Sequence, residues 1–132
     1  MLRGLVQLAF RLDAEERSTH HRAVVKVSEI RRFVSAIARE FKPERVVLFG
    51  SYARGEATED SDVDLLVVMQ HDGDAVEQAL EIRRRIDRAF PLDLIVKGPQ
   101  ETRKRLRQND AFVSSIFEAG KILYERPRQT VV

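Results

Sequence analysis

Apolar residues recur along this chain with two different periods, and the alternation between them outlines the fold. Between residues 28 and 41, Ile30, Phe33, Val34, Ile37, Ala38 and Phe41 repeat at helical spacing, with Ser28 as the expected N-cap and Pro43 as the stop. Arg45–Phe49 then reads as a short buried strand closed by Gly50. A second apolar run over 63–69 predicts another buried strand. After the turn His71-Asp72-Gly73, a helix is expected from Asp74 to about Phe90, with Val76, Ala79, Ile82, Ile86 and Ala89 facing inward. Pro91 ends it, 92–96 predicts a third strand, and Gly98-Pro99 punctuates. A basic helix over 100–107 leads to another over 110–119, capped by Asp110 and terminated by Gly120, before a last strand at Lys121–Glu125.

Helices that alternate with short, nearly all-apolar strands predict an α+β fold, a mixed β-sheet packed with helices. The 132 residues allow one hydrophobic core and little more. The expected organisation is an N-terminal extension over 1–27, helical or partly disordered, one domain over 28–126, and a polar tail over 127–132.

Composition narrows the classes. Hydrophobic residues make up 43% and charged residues 33%, which suits a soluble globular chain. Cysteine is absent, so disulfides and thiolate metal sites are excluded. No run approaches the ~18 apolar residues that cross a bilayer. The apolar start of the chain is brief, and Arg11 and an acidic stretch follow it without a small-residue cleavage site. The expectation is a cytoplasmic protein that does not enter membranes. The formal charge is +2, and the clusters Arg83-Arg84-Arg85 and Arg103-Lys104-Arg105 read as solvated helix faces, so direct nucleic-acid binding is not expected. His20-His21 has no third ligand nearby and reads as surface.

The chemistry is concentrated in one stretch. Gly50-Ser51 is followed by ten residues and then Asp62-Val63-Asp64. A chance match to four such fixed residues in this length is on the order of one in several hundred. Asp62 and Asp64 lie two apart on an expected strand, so their carboxylates leave one face with Cα atoms roughly 6.5 Å apart. Like charges held so close are costly to bury without a cation, and hard divalent cations favour carboxylate and phosphate oxygens. Gly50 permits a tight turn and the close approach of a phosphate, and Ser51 offers a hydroxyl and an amide N–H. Arg54 is a candidate for neutralising a triphosphate, directly or by fixing the loop. Asp93, a lone acid in the apolar run Pro91-Leu92-Asp93-Leu94-Ile95-Val96, would complete a metal site opposite the other two. Tyr52 could contact a base or pack beside the loop, and Lys97 could reach a phosphate or end its strand in solvent.

The Gly-Ser-x10-Asp-x-Asp pattern with a downstream aspartate resembles the DNA polymerase beta-like nucleotidyltransferase superfamily. The form GSYARGEATEDSDVDLLV is similar to its minimal-nucleotidyltransferase branch, over about residues 28–125. The resemblance implies that Gly50 and Ser51 hold nucleotide phosphates, that Asp62 and Asp64 ligate two Mg²⁺ ions, and that Asp93 ligates the catalytic ion and accepts a proton. It implies ATP as the donor substrate. It also implies a protein partner, since members of this branch are commonly antitoxins that adenylylate a tyrosine of a small helical HEPN-type ribonuclease toxin. That toxin class carries Arg, four to six residues, then His, a spacing absent here. A homo-oligomer is left open. Three rival readings are a small-molecule nucleotidyltransferase of the aminoglycoside-modifying kind, a toxin-binding module without catalysis, and a template-directed polymerase. The first lacks room for an extra helical domain, and the last lacks a segment to grip a primer.

Overall fold

The six residues Val63–Val68 are all buried, and a strand buried on both faces needs cover from both sides. They sit second in a four-stranded sheet in the computed structural model of the chain, which describes residues 24–128. In chain order the elements are α1 (Val27–Phe41), β1 (Arg45–Phe49), α2 (Gly50–Arg54), β2 (Val63–Val68), α3 (Ala75–Arg85), β3 (Leu92–Lys97), α4 (Pro99–Arg107), α5 (Ala111–Ala119) and β4 (Lys121–Glu125). The sheet order is β3-β2-β1-β4. β1 is antiparallel to both β2 and β4, and β2 is parallel to β3, so the sheet is mixed as expected.

Pleating sorts the side chains into two layers. Val46, Leu48, Leu65, Val67, Leu94 and Val96 meet α1 and α3 through Ile30, Phe33, Ile37 and Ile82. On the opposite face Val47, Leu66 and Val68 pack against Ile116 of α5, with Phe49, Ile95 and Phe117 beside them. Strand β3 alternates: Leu92, Leu94 and Val96 are buried in the first layer, while Asp93, Ile95 and Lys97 project into the second.

Two expectations about helix ends are corrected. Ser28 is not the N-cap of α1: Lys26 holds that position, extended and without a side-chain cap, and the helix begins at Val27. Its entry is fixed instead by backbone groups, with the Lys26 carbonyl accepting from Glu29 and Ile30 and the Val25 N–H donating to the Tyr52 hydroxyl at 3.0 Å. The helix from Asp74 stops at Arg85, because Ile86 turns to an extended conformation (φ −126°, ψ 119°). That turn sends Phe90 into the core, where its ring meets Phe33 edge-on at 5.6 Å, and it leaves Ala89 exposed. Val76, in the first turn, is 62% exposed and serves the Asp74 cap through its N–H. Ala79, Ile82 and Ile86 are buried as expected. Most of the N-terminal extension, with His20-His21, and residues 129–132 of the tail lie outside the described residues. Among the described residues no helix is long and apolar enough to cross a membrane.

Asp110 caps α5 as the sequence indicates, accepting from the Val113 N–H at 2.9 Å and meeting Arg105 at 3.0 Å. The Val113 N–H first, and the Arg105 guanidinium second, hold its carboxyl below the ordinary range. A lowered folded pKa stabilises the fold above the unfolded carboxyl range and loses that stabilisation as pH falls through the folded value. Asp110→Asn keeps a capping oxygen but not the charge. Its melting temperature should therefore trail that of the wild type at neutral pH, with the gap closing below the carboxyl range. A gap that stays constant into acid, measured by thermal melts at stepped pH, would remove the charge from this account.

Candidate active site

The site is assembled where β1 ends and β2 and β3 begin. β2 and β3 run parallel in a register that sets Asp64 directly beside Asp93, and adjacent strands lie about 4.8 Å apart. On its other side Asp64 is paired with Phe49, the last residue of β1. Asp62 precedes β2 by one residue, at the same end of the sheet. Asp64 is only 7% exposed, and one carboxyl oxygen of Asp62, Oδ1, is shielded from solvent. Two acids from neighbouring strands, and a third on the approach to one of them, thus lie at one end of the sheet.

Gly50 makes the arrangement sterically possible. It opens α2 at φ +72°, a conformation that disfavours residues with a side chain. A Cβ at this position would lie 2.1 Å from Asp64 Oδ2 and 3.1 Å from its Cγ. The chain therefore turns away from β1 tightly against the Asp64 carboxylate. Ser51 follows in the first turn of α2, half-buried. Arg54 stands in the last turn with its side chain exposed, and its Nε is 2.9 Å from Glu56. That pair spans the start of the loop leading to Asp62. The loop is braced further along: the Thr58 N–H donates to the Ser61 hydroxyl at 2.9 Å, and the Ser61 N–H donates to the Thr58 carbonyl at 3.0 Å.

Of the residues singled out from sequence, Gly50, Asp64 and Asp93 are brought together, with Asp62 one residue before β2, Ser51 adjoining and Arg54 at the outer end of α2. Lys97 is not among them; it ends β3, paired with Val68 at the far end of the sheet from Asp93. Tyr52 packs against the main core and is tied through its hydroxyl to Val25, which settles it as a packing residue. As the side chains stand, no group of three or more His, Asp or Glu among the described residues is arranged to hold a metal ion. The donor set nonetheless suits one: all three groups are carboxylates, the ligands that hard divalent cations prefer, and Asp64 and Asp93 stand side by side on paired strands.

A model of the nucleotidyltransferase domain matches residues 30–124, most of the chain and the whole of this site. The chain belongs to the nucleotidyltransferase domain family. As a nucleotidyltransferase it is an enzyme, and its relatives agree. It is 33% identical over 97 residues to a provisionally named protein adenylyltransferase of Methanocaldococcus jannaschii, an alignment covering 72% of this chain and 94% of that one. Against the protein adenylyltransferase MntA of Thermococcus cleftensis it is 45% identical over 49 residues, which are 34% of this chain and 50% of that protein. A crystal structure of a provisionally assigned nucleotidyltransferase from Sulfolobus solfataricus superposes with a TM-score of 0.55, at 22% identity, over 80% of this chain and 85% of that one, showing a shared fold.

Three features of this nucleotidyltransferase escape a reading by sequence alone. The contact between Gly50 and Asp64 is tertiary, although a glycine directly after a strand is a signal for close backbone approach. The Thr58–Ser61 brace was visible only as two hydroxyl residues in a polar loop. The contact of Phe112 with Phe49, 5.9 Å between ring centres, joins residues 63 apart in the chain and leaves no local pattern.

Proposed function

We propose that this enzyme transfers AMP from ATP to a hydroxyl of a partner protein, a tyrosine in the first instance. We further propose that it is the cytoplasmic antitoxin of a toxin–antitoxin pair whose toxin is a HEPN-type ribonuclease. The observation that carries the transfer chemistry is the parallel register of Asp64 with Asp93, with Gly50 packed against the first of them. The names of the M. jannaschii and T. cleftensis relatives support a protein as acceptor. The antitoxin role rests on the likeness of the central motif to the minimal-nucleotidyltransferase branch.

In this reading Asp62 and Asp64 would hold two Mg²⁺ ions, and Asp93 would share in holding one of them. Bound there, the ions would neutralise the triphosphate and lower the pKa of the acceptor hydroxyl. Gly50 lets the phosphates approach the main chain, Ser51 donates to a phosphate oxygen through its hydroxyl or N–H, and Arg54 steadies the loop through Glu56. The acceptor oxygen forms a bond to the α-phosphorus as the bond from that phosphorus to the bridging α–β oxygen breaks. Pyrophosphate leaves with the electron pair, and Asp93 accepts the hydroxyl proton. Rate acceleration then comes from positioning and from fixed charge around the triphosphate.

The test is transfer of label from α-labelled ATP, in the presence of Mg²⁺, to a protein co-purified from the native host. Label should appear on that protein with a mass gain of one or more AMP units. Label from γ-labelled ATP in its place would identify phosphoryl transfer and reject the proposal.

A further inference from the structure

We propose that Phe112, at the start of α5, is the face on which the base of the donor nucleotide stacks. This rests on the nucleotidyl-transfer reading and adds a substrate-contacting residue from outside the motif. Single exposed apolar side chains are ordinary on protein surfaces, so exposure alone says little. Phe112, however, is 48% exposed while its ring stands edge-to-face against Phe49, at an interplanar angle of 88°. Phe49 is the register partner of Asp64 and the residue immediately before Gly50. Helix α5 also touches α2, so the helix that carries Phe112 lies beside the turn assigned to the phosphates, and through Phe49 the ring neighbours the register partner of Asp64.

The strand order decides which substrate meets it. Asp93, assigned to the acceptor hydroxyl, lies on the β3 side of Asp64, and Phe49 lies on the β1 side. The acceptor then enters over β3, and the donor, held at Gly50 and Ser51, extends over the end of β1. A flat π-surface at that border suits a purine, because base–aromatic stacking needs no hydrogen-bond match. The platform is held in place by its helix: Asp110, two residues before Phe112, accepts from the Val113 N–H and pairs with Arg105. Ile116, one turn on, anchors α5 to Val47, Leu66 and Val68.

The experiment compares the full chain with Phe112→Ala and Phe112→Tyr in titrations with ATP and with tripolyphosphate, both with Mg²⁺. Phe112→Ala should weaken ATP binding roughly 10- to 100-fold and leave tripolyphosphate binding unchanged. Phe112→Tyr should restore ATP binding. Equal ATP affinity in the wild type and Phe112→Ala would overturn the assignment and leave the transfer reading standing. Equal losses for ATP and tripolyphosphate would also overturn it, because they would mark a general disturbance of the phosphate turn. A wild-type chain that binds neither ligand would reject the transfer reading and this inference together.

Discussion

Asp64→Asn and Asp93→Asn should each lower nucleotidyl transfer by roughly 10²- to 10³-fold, the scale seen when one fixed electrostatic contributor to a developing oxyanion is removed. The two strands bring these residues side by side, so each variant leaves one carboxylate facing a neutral amide. Asparagine keeps the size and planarity of aspartate, and the sheet ladder around both positions is made by backbone groups that the change does not touch. A cooperative melt with a transition close to that of the wild type is therefore expected alongside the lost activity. The double variant should be scarcely slower than either single one, because residues that act as a unit are non-additive. Additive losses, or full transfer by either single variant, would mean that the two carboxylates do not share one task. Isothermal titration with Mg²⁺ and a non-hydrolysable ATP analogue supplies a second readout, since the variants should also weaken metal-dependent binding.

Some of this could be read from the sequence, and the reason differs from element to element. The bounds of β1, Arg45–Phe49, follow from a run of apolar and β-branched residues closed by a glycine, both of which are local signals. The carboxylate cluster was legible because its spacing is local for Asp62 and Asp64, and because an acid inside an apolar strand, as at Asp93, calls for an explanation. The end of α3 was not legible. Ile86 and Ala89 continue the helical period, whereas the exit from the helix at Ile86 goes with the seating of Phe90 against Phe33, a tertiary contact with no local signal. Ser28 is a good capping residue by type, but the entry of α1 is set by Val25 meeting Tyr52, 27 positions along the chain. Local chemistry proposes helix ends; packing disposes of them.

Gly50→Ala should damage both the turn and the site, for two separable reasons. The first is conformational, since a left-handed φ costs an alanine about 1–2 kcal/mol. Gly55 has the same φ of +72° with nothing within 4 Å of an added Cβ, so Gly55→Ala reports that cost alone. The second reason is the carboxylate. At Gly50 the new methyl would lie 2.1 Å from Asp64 Oδ2, and either the turn or the carboxylate must move. Gly50→Ala should therefore exceed Gly55→Ala by about 0.5–3 kcal/mol, the range typical of directly contacting pairs, and should abolish transfer where Gly55→Ala retains it. In an Asp64→Ala background the Oδ2 and Cγ contacts are gone, and the remaining approach, 3.4 Å to the Asp64 Cβ, is an ordinary one. The excess should then disappear, leaving the two glycine substitutions equal in denaturant melts. If the excess persists without the carboxylate, the tight turn at Gly50 answers to the backbone alone, and its fit against Asp64 is incidental to the site.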